Sequence, residues 1–467
     1  MNQASTKKQS FKVIISETIM FIAVVITVII LALLVSGYWL NSNFQVERNG
    51  MLQISSFPTG ATVEIDGEAG SWLERTNSSK ILSSGEHTVK LTKDGYDSWS
   101  KTINISEGLL YRLHYPRLFL NQREVSSVLD LSKYTGATVS SNHNVALLMN
   151  DTTEWAYLNL DADELKTRPL DISKAFSVTT AAEAPADTTP APFTSKILQI
   201  DWDFDASHVL FKVANGETIE WVLLDVNNVD KSINLTKEFG ANFSHIEILD
   251  NNSNNLLAVQ NHNLHKIDIP GRLISAVLVE NVFDFDHYHN EIVFSTTGST
   301  NTVGYFKLGD AEPTNLTTTA NPAKVAISKF YDNKYITIIE GQNISVHQKD
   351  AFDESVKKYV VSFTPDTVEV GHDGEFLLLA RDHQLATLDM EAELIREWTI
   401  EHHYDWLDND MLYTINDGEL IVYDFDGLNR RVLAHDVSNH FPVAITSDKW
   451  LYYASDTHLM REWLIPR

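Results

Sequence analysis

The apolar and polar positions fall into three regimes along the chain. From Thr18 to Leu40 the sequence TIMFIAVVITVIILALLVSGYWL carries no charge, and between Lys12 and Glu47 the one charged residue is Glu17. At about 1.5 Å per helical residue such a run crosses a hydrocarbon core of about 30 Å, so 13–40 is expected to be a transmembrane helix. Tyr38 and Trp39 stand where interfacial aromatics belong. From about residue 50 the pattern becomes alternation. Ala61, Val63 and Ile65 share one face of a strand that follows Pro58-Thr59-Gly60 and ends at Asp66-Gly67. Residues 85–91 alternate in the same way up to Asp94-Gly95-Tyr96, and Ile103, Ile105, Leu109, Tyr111 and Leu113 continue the period of two. Residues 50–115 are therefore expected to form a small β-sandwich.

The third regime is a repeat. Short apolar strands begin at 145, 209, 256, 292, 335, 376, 411 and 451, roughly 40 residues apart. Each is followed by a partner, at 155–160, 221–226, 264–269, 303–308, 344–349, 385–390, 420–425 and 459–464, across turns such as Asn215-Gly216, Gly341-Gln342 and Asp417-Gly418. This is the period of a four-stranded antiparallel blade, and 116–467 is expected to be a β-propeller of seven or eight blades, with two stacked sandwiches as the alternative. No helix is expected in it. The longer first interval holds SVTTAAEAPADTTPAPFTS at 177–195, almost without bulky apolar residues, which reads as a disordered insertion. The last pair lacks an outer strand. The extended apolar segment 117–128 is expected to supply it, pairing antiparallel with 459–464 and closing the ring.

Two stretches of the sandwich region carry a resemblance. PTGATVEIDG at 58–67, followed by LSSGEHTVKLTKDGYD at 82–97, is similar to the PEGA domain of prokaryotic surface proteins. The resemblance covers about 51–115 and implies an immunoglobulin-like sandwich outside the membrane, with no catalytic residues. It departs from the family's pattern at 70–80, GSWLERTNSSK, where a Thr-Pro pair is usual; this leaves the register of the middle strand open. In the repeat, Asp201–Asp205 and the Phe-Asp-Phe-Asp run at 283–286 share only a few residues with the blade starts of TolB-like propellers. Kelch double glycines, sialidase Asp boxes and a regular WD ending are absent, so the propeller expectation rests on the period.

Composition and charge then narrow the function. With 63 Asp plus Glu against 36 Lys plus Arg, the net charge of −27 repels nucleic acid. Lys7, Lys8 and Lys12 precede the apolar run, which places residues 1–12 in the cytoplasm as a short tail and the bulk of the chain outside the membrane. A cleaved signal peptide is the alternative for this segment. There is no Cys, which removes disulfides, thiolate metal sites and Cys nucleophiles.

Candidate chemistry is sparse. No G-x-S-x-G, H-E-x-x-H, P-loop or G-x-G-x-x-G motif occurs. Asp201, Asp203 and Asp205 would share a face if they alternate on a strand, as a Ca²⁺ site needs, but no calcium-loop Gly or distal Glu accompanies them. His287 and His289 offer two imidazoles without a third ligand, and the adjacent His402 and His403 would point apart. Trp155, Trp202, Trp221, Trp398, Trp406, Trp450 and Trp463 recur at strand-like positions, where packing between blades accounts for them better than sugar binding does. Sequons such as 104–106 and 315–317 matter only in a eukaryotic secretory setting. The expectation is thus no catalytic, cofactor-binding or metal-binding residue. The whole reads as a single-pass cell-membrane protein that presents a propeller surface to an envelope protein or glycan. An extracytoplasmic enzyme with a site in the propeller funnel, or a structural subunit of an envelope assembly, are the alternatives.

Overall fold

The computed structural model describes residues 17–32, 38–40, 46–69, 75–176, 192–371 and 374–465. The chain divides into two compact units, 1–121 and 122–467.

In the first unit a helix runs over 17–32, and every residue of it is exposed. Among the described residues no helix is long and apolar enough to cross a membrane. Residues 13–16 and 33–37 of the expected span lie outside the described residues. Its expected end at 40 is too late, because Tyr38–Leu40 is already a strand, paired with Val46–Arg48. Two further sheets follow. Gly50–Ile54 pairs antiparallel with Ser78–Leu82 and parallel with Leu110–Leu113. The other sheet runs in the order Glu68–Ala69, Thr62–Ile65, Gly85–Thr92, Trp99–Ile105. Alternation puts Ala61, Val63, Val89, Leu91, Ile103, Ile105, Tyr111 and Leu113 inside with Leu52, Ile54 and Trp99. Leu109 breaks the expected sequence: it precedes its strand and is exposed. Asp66 (φ 53°) and Gly67 (φ 82°) both sit in the left-handed region, as a two-residue type I′ hairpin between Ile65 and Glu68 requires. Around the expected irregular stretch, 70–74 lies outside the described residues, and Ser78–Leu82 joins the Gly50–Ile54 sheet.

Among the described residues the second unit contains eight four-stranded antiparallel sheets. Sheets 1 to 7 take their strands in sequence order and start at Gly136–Val139, Lys196–Trp202, His245–Ile248, Val282–Tyr288, Lys324–Phe330, Thr367–Val370 and Tyr404–Trp406. The strand pairs read from the sequence are the two middle strands of each sheet, for example Val145–Met149 with Glu154–Asn159 and Met411–Asn416 with Glu419–Asp424. Middle strands are covered on both faces, which is why all five residues of Val145–Met149 are buried. Sheet 8 holds Ala444–Thr446, Trp450–Ser455 and His458–Trp463, and its fourth, outermost strand is Val125–Asp130.

That pairing is antiparallel, from Val125 opposite Glu462 to Asp130 opposite His458. It starts later than the expected 117. Arg117 and Leu120 instead bridge to Phe57 and Tyr96 of the first unit, where Leu118 and Phe119 are buried. Neighbouring sheets pack face to face. Trp155, Phe176 and Phe211 nest between sheets 1 and 2, with ring centroids 5.5–5.6 Å apart. Trp221 fills the gap between sheets 2 and 3. Tyr452 and Leu459 of sheet 8 lie against Ala146, Leu148 and Leu158 of sheet 1, so the ring is complete.

Two local expectations change. A five-residue helix, Leu235–Phe239, follows sheet 2, capped by the Asn234 side chain and ended by left-handed Gly240. Of the expected disordered insertion, 177–191 lies outside the described residues, whereas 192–195 belongs to the fold. There Phe193 donates its N–H to the Asp151 carbonyl and stacks edge-on against Trp155 and Phe176.

Candidate functional site

The first strand of each sheet has one edge paired with the second strand and one edge turned to the ring axis, where its N–H groups need acceptors. Contacts between first strands show this. Asp284 Oδ2 accepts from Val325 N at 2.9 Å, and Asp286 Oδ2 from Ile327 N at 2.8 Å, tying sheet 4 to sheet 5. Trp202 Nε1 donates to Thr138 Oγ1 at 3.0 Å, and Trp406 Nε1 to Glu369 Oε2 at 2.8 Å. Polar residues at alternate positions of the inner strands therefore link neighbouring sheets around the central channel.

The densest chemistry in the channel lies on sheets 3 and 4. In His245-Ile246-Glu247-Ile248 the isoleucines face the core between sheets 2 and 3, which leaves His245 and Glu247 on the side of sheet 4. Glu247 meets two imidazoles: its Oε1 lies 2.7 Å from His245 Nε2 and its Oε2 lies 3.3 Å from His287 Nδ1. Burial on its own would raise the Glu247 carboxyl, but the hydrogen bond with His245 and the neighbouring His287 imidazole outweigh it and hold the group down at about 2. Burial likewise works against protonated His245 and His287, yet Glu247 shifts both upward. Asp286 goes the other way: burial, then repulsion by Glu247, pushes its carboxyl up to about 7. Burial also raises Asp201 and Asp284. The result is a carboxylate held between two imidazoles whose proton affinity it raises, beside a carboxyl that resists ionising.

The open spaces lie at the two edges of the sheets. On the edge where first strands begin, a cavity of about 470 Å³ involves Ile219, Asn242 and Asn261, and one of about 280 Å³ involves His245, Phe283 and Asp284. They share Ser244 and His262, so together they form one groove across sheets 2 to 4. A third, of about 360 Å³, lies between Glu369, Arg381 and Tyr404 on sheets 6 and 7. On the opposite edge, the turns after the first strands of sheets 2 and 3 border a cavity of about 600 Å³ that includes Asp205, His208, Asp250 and His289.

The candidates read from sequence disperse. Asp201 lies on its strand and accepts from Gln199 Nε2 at 2.7 Å. The strand ends at Trp202, so Asp203 sits in the turn and does not share the Asp201 face. Its carboxylate braces that turn, accepting from Ser207 N, Ser207 Oγ and His208 N, and Asp205 is exposed. His287 joins Glu247, whereas His289, in a left-handed turn, pairs with Asp250. His402 and His403 are exposed residues just ahead of Tyr404–Trp406. Among the described residues no group of three or more His, Asp and Glu is disposed to hold a metal ion. Trp155 and Trp221 are buried, and Trp202, Trp398, Trp406, Trp450 and Trp463 are half-buried, the first four of these against inter-sheet cores. The sequence reading missed His245, Glu247, Asp284 and Asp286. Their signal is the polar-apolar alternation of HIEI at 245–248 and FDFD at 283–286, on strands that open a blade.

Residues 49–117 match the PEGA domain model. No curated protein matches the sequence. Among solved structures, Hsv2 of Kluyveromyces lactis is similar over 64% of this chain and 98% of its own, at 10% identity and a TM-score of 0.43. The β-propeller domain of Cps50 (Swd1) from Myceliophteria thermophila is similar over 74% and 100%, at 10% identity and a TM-score of 0.38.

Proposed function

We propose that this chain is a membrane-anchored, non-catalytic protein whose bulk lies outside the cytoplasm and whose propeller presents a binding surface to a protein or glycan partner at the cell envelope. The observation that carries the binding part is the groove across sheets 2 to 4, open to solvent and rimmed by exposed Ile219 and Phe283. A closed ring supports this role, since it holds variable loops on a scaffold without free sheet edges. The anchor rests on the uncharged run 18–40, the first part of which lies on an exposed helix over 17–32, where the Thr27 hydroxyl bonds back to the Ala23 carbonyl at 2.8 Å. The three lysines before it set the cytoplasmic side.

One observation favours a second reading, an enzyme acting in the channel. The Asp286 carboxyl, near 7 beside His287, has the proton affinity of a general acid working at neutral pH. Against it, Glu247 and the imidazoles are engaged with one another, and none of Glu247, Asp286 and His287 borders the four cavities described above.

Alkaline carbonate washing of membranes from cells making the full chain, combined with external protease on intact cells, tests the anchor and its orientation. The chain is expected to stay with the membrane and to lose its propeller to the protease. Release by carbonate, or a propeller shielded from protease, overturns the reading.

A further inference from the structure

The first strands of sheets 2 and 4 differ from those of the other six. The register slips between Ile197 and Gln199 in sheet 2, and between Val282 and Asp284 in sheet 4, so Leu198 and Phe283 are bulge residues. The remaining first strands pair in unbroken register. Leu198 is 45% exposed and Phe283 48%, both near the start of their strands, and Ile219 and Val277 add exposed apolar surface on the same edge. A bulge interrupts the ladder and re-aims a side chain. Here it turns two large apolar groups into water, which does nothing for the core.

Beside Phe283 the surface is acidic. Asp284 borders the same cavity, with Asp201 and Glu247 behind it at the channel mouth. Facing them are His245, paired with Glu247, and Lys324 of sheet 5. Lys212 also lies close by, its ammonium donating to the Ser244 carbonyl at 2.9 Å and lying over Trp221. The raised carboxyls of Asp201 and Asp284 follow from burial together with the nearby charge of Glu247, and a cation placed between them would relieve that repulsion.

We propose that this groove binds an extended polypeptide segment of a partner protein. An apolar side chain packs on Phe283 and Ile219, and an Arg or Lys next to it points at Asp284 in the channel mouth. The inference rests on the reading of the propeller as a binding scaffold and specifies the partner's chemistry. Apolar anchors supply most of the affinity of such a contact, and the charge pair supplies selectivity.

A phage-displayed library of random 12-residue peptides, panned on the full chain in detergent and on Phe283→Ser and Asp284→Asn chains, tests it. Phe283 is exposed, and Asn at 284 keeps an oxygen for Val325 N, so thermal melting of both variants should match the parent. Clones pairing Arg or Lys with a neighbouring aromatic or aliphatic residue should be enriched at least tenfold on the parent. Phe283→Ser should abolish the enrichment, and Asp284→Asn should remove the preference for the basic residue. Enrichment of acidic or neutral clones, or enrichment unchanged in both variants, overturns this inference and leaves the scaffold reading standing. Enrichment lost instead in Phe204→Ser, on the opposite edge, moves the binding surface there and also overturns it. If no clone is enriched on any chain while a defined glycan array is bound through Phe283, the partner is a saccharide and the polypeptide inference fails. If neither library binds, the scaffold reading falls with it.

Discussion

Replacing Glu247 by Gln removes the charge that two imidazoles share while keeping the side chain's size. Moving a carboxyl from an ordinary 4.5 to about 2 corresponds, at about 1.4 kcal/mol per tenfold in proton affinity, to about 3 kcal/mol of folding free energy near neutral pH. The side chain is 28% exposed, so solvent screens this only in part. The signs of the linked groups fix the pH profile. Glu247 is depressed, so its contribution is complete above 4.5 and disappears as pH falls through about 2. His245 and His287 are raised, so theirs is complete below 6.5 and disappears as pH rises through their elevated values. Asp286, raised to about 7, costs progressively more between 3.8 and 7. The propeller should therefore be more stable at pH 5.5 than at pH 8, and Glu247→Gln should lose about 3 kcal/mol at pH 6 and flatten the alkaline decline. Urea unfolding followed by tryptophan fluorescence at several pH values measures both. A variant within about 0.5 kcal/mol of the parent at pH 6, with the same pH slope, would refute the clamp.

Other perturbations probe the ring. Arg123 donates to the buried Glu462 carboxylate and to the Leu433 carbonyl. Arg123→Ala should cost about 3–5 kcal/mol by leaving that carboxylate without its counter-ion, and hydrogen exchange should quicken first in 125–130 and 458–463. A Cβ at Gly304 would meet the Phe294 ring at 2.2 Å, so Gly304→Ala should destabilise sheet 4 by about 1–3 kcal/mol in the same unfolding assay.

The parts of the fold that were readable in advance are those buried on both faces. Residues 376–380 (FLLLA) and 411–413 (MLY) are continuous apolar runs because sheets cover them on either side, and such runs stand out at any register. Outer strands leave little trace: Val125–Asp130 and Val356–Val360 mix apolar with polar residues and have no buried face, so the expected closing segment starts too early in the chain. The channel was harder still. Glu247 in HIEI looks like the wet face of any half-buried strand, and only the stacking of sheet 4 on sheet 3 brings His287 to that face. Phe283 was hidden by its bulge, which breaks the period that strand reading depends on.

Because the outermost strand of sheet 8 is made early and its mate His458–Trp463 roughly 330 residues later, assembly has to wait for synthesis. At about 5–20 residues per second, Val125–Asp130 spends on the order of 15 to 70 seconds unpartnered while seven other blades emerge. The final step joins chain segments as distant in sequence as this fold allows, and loop-closure entropy makes such joining slow. During that interval the nascent molecule is an open strip with a sticky border at each end, the form in which chaperone holding or swapping between neighbouring chains would act.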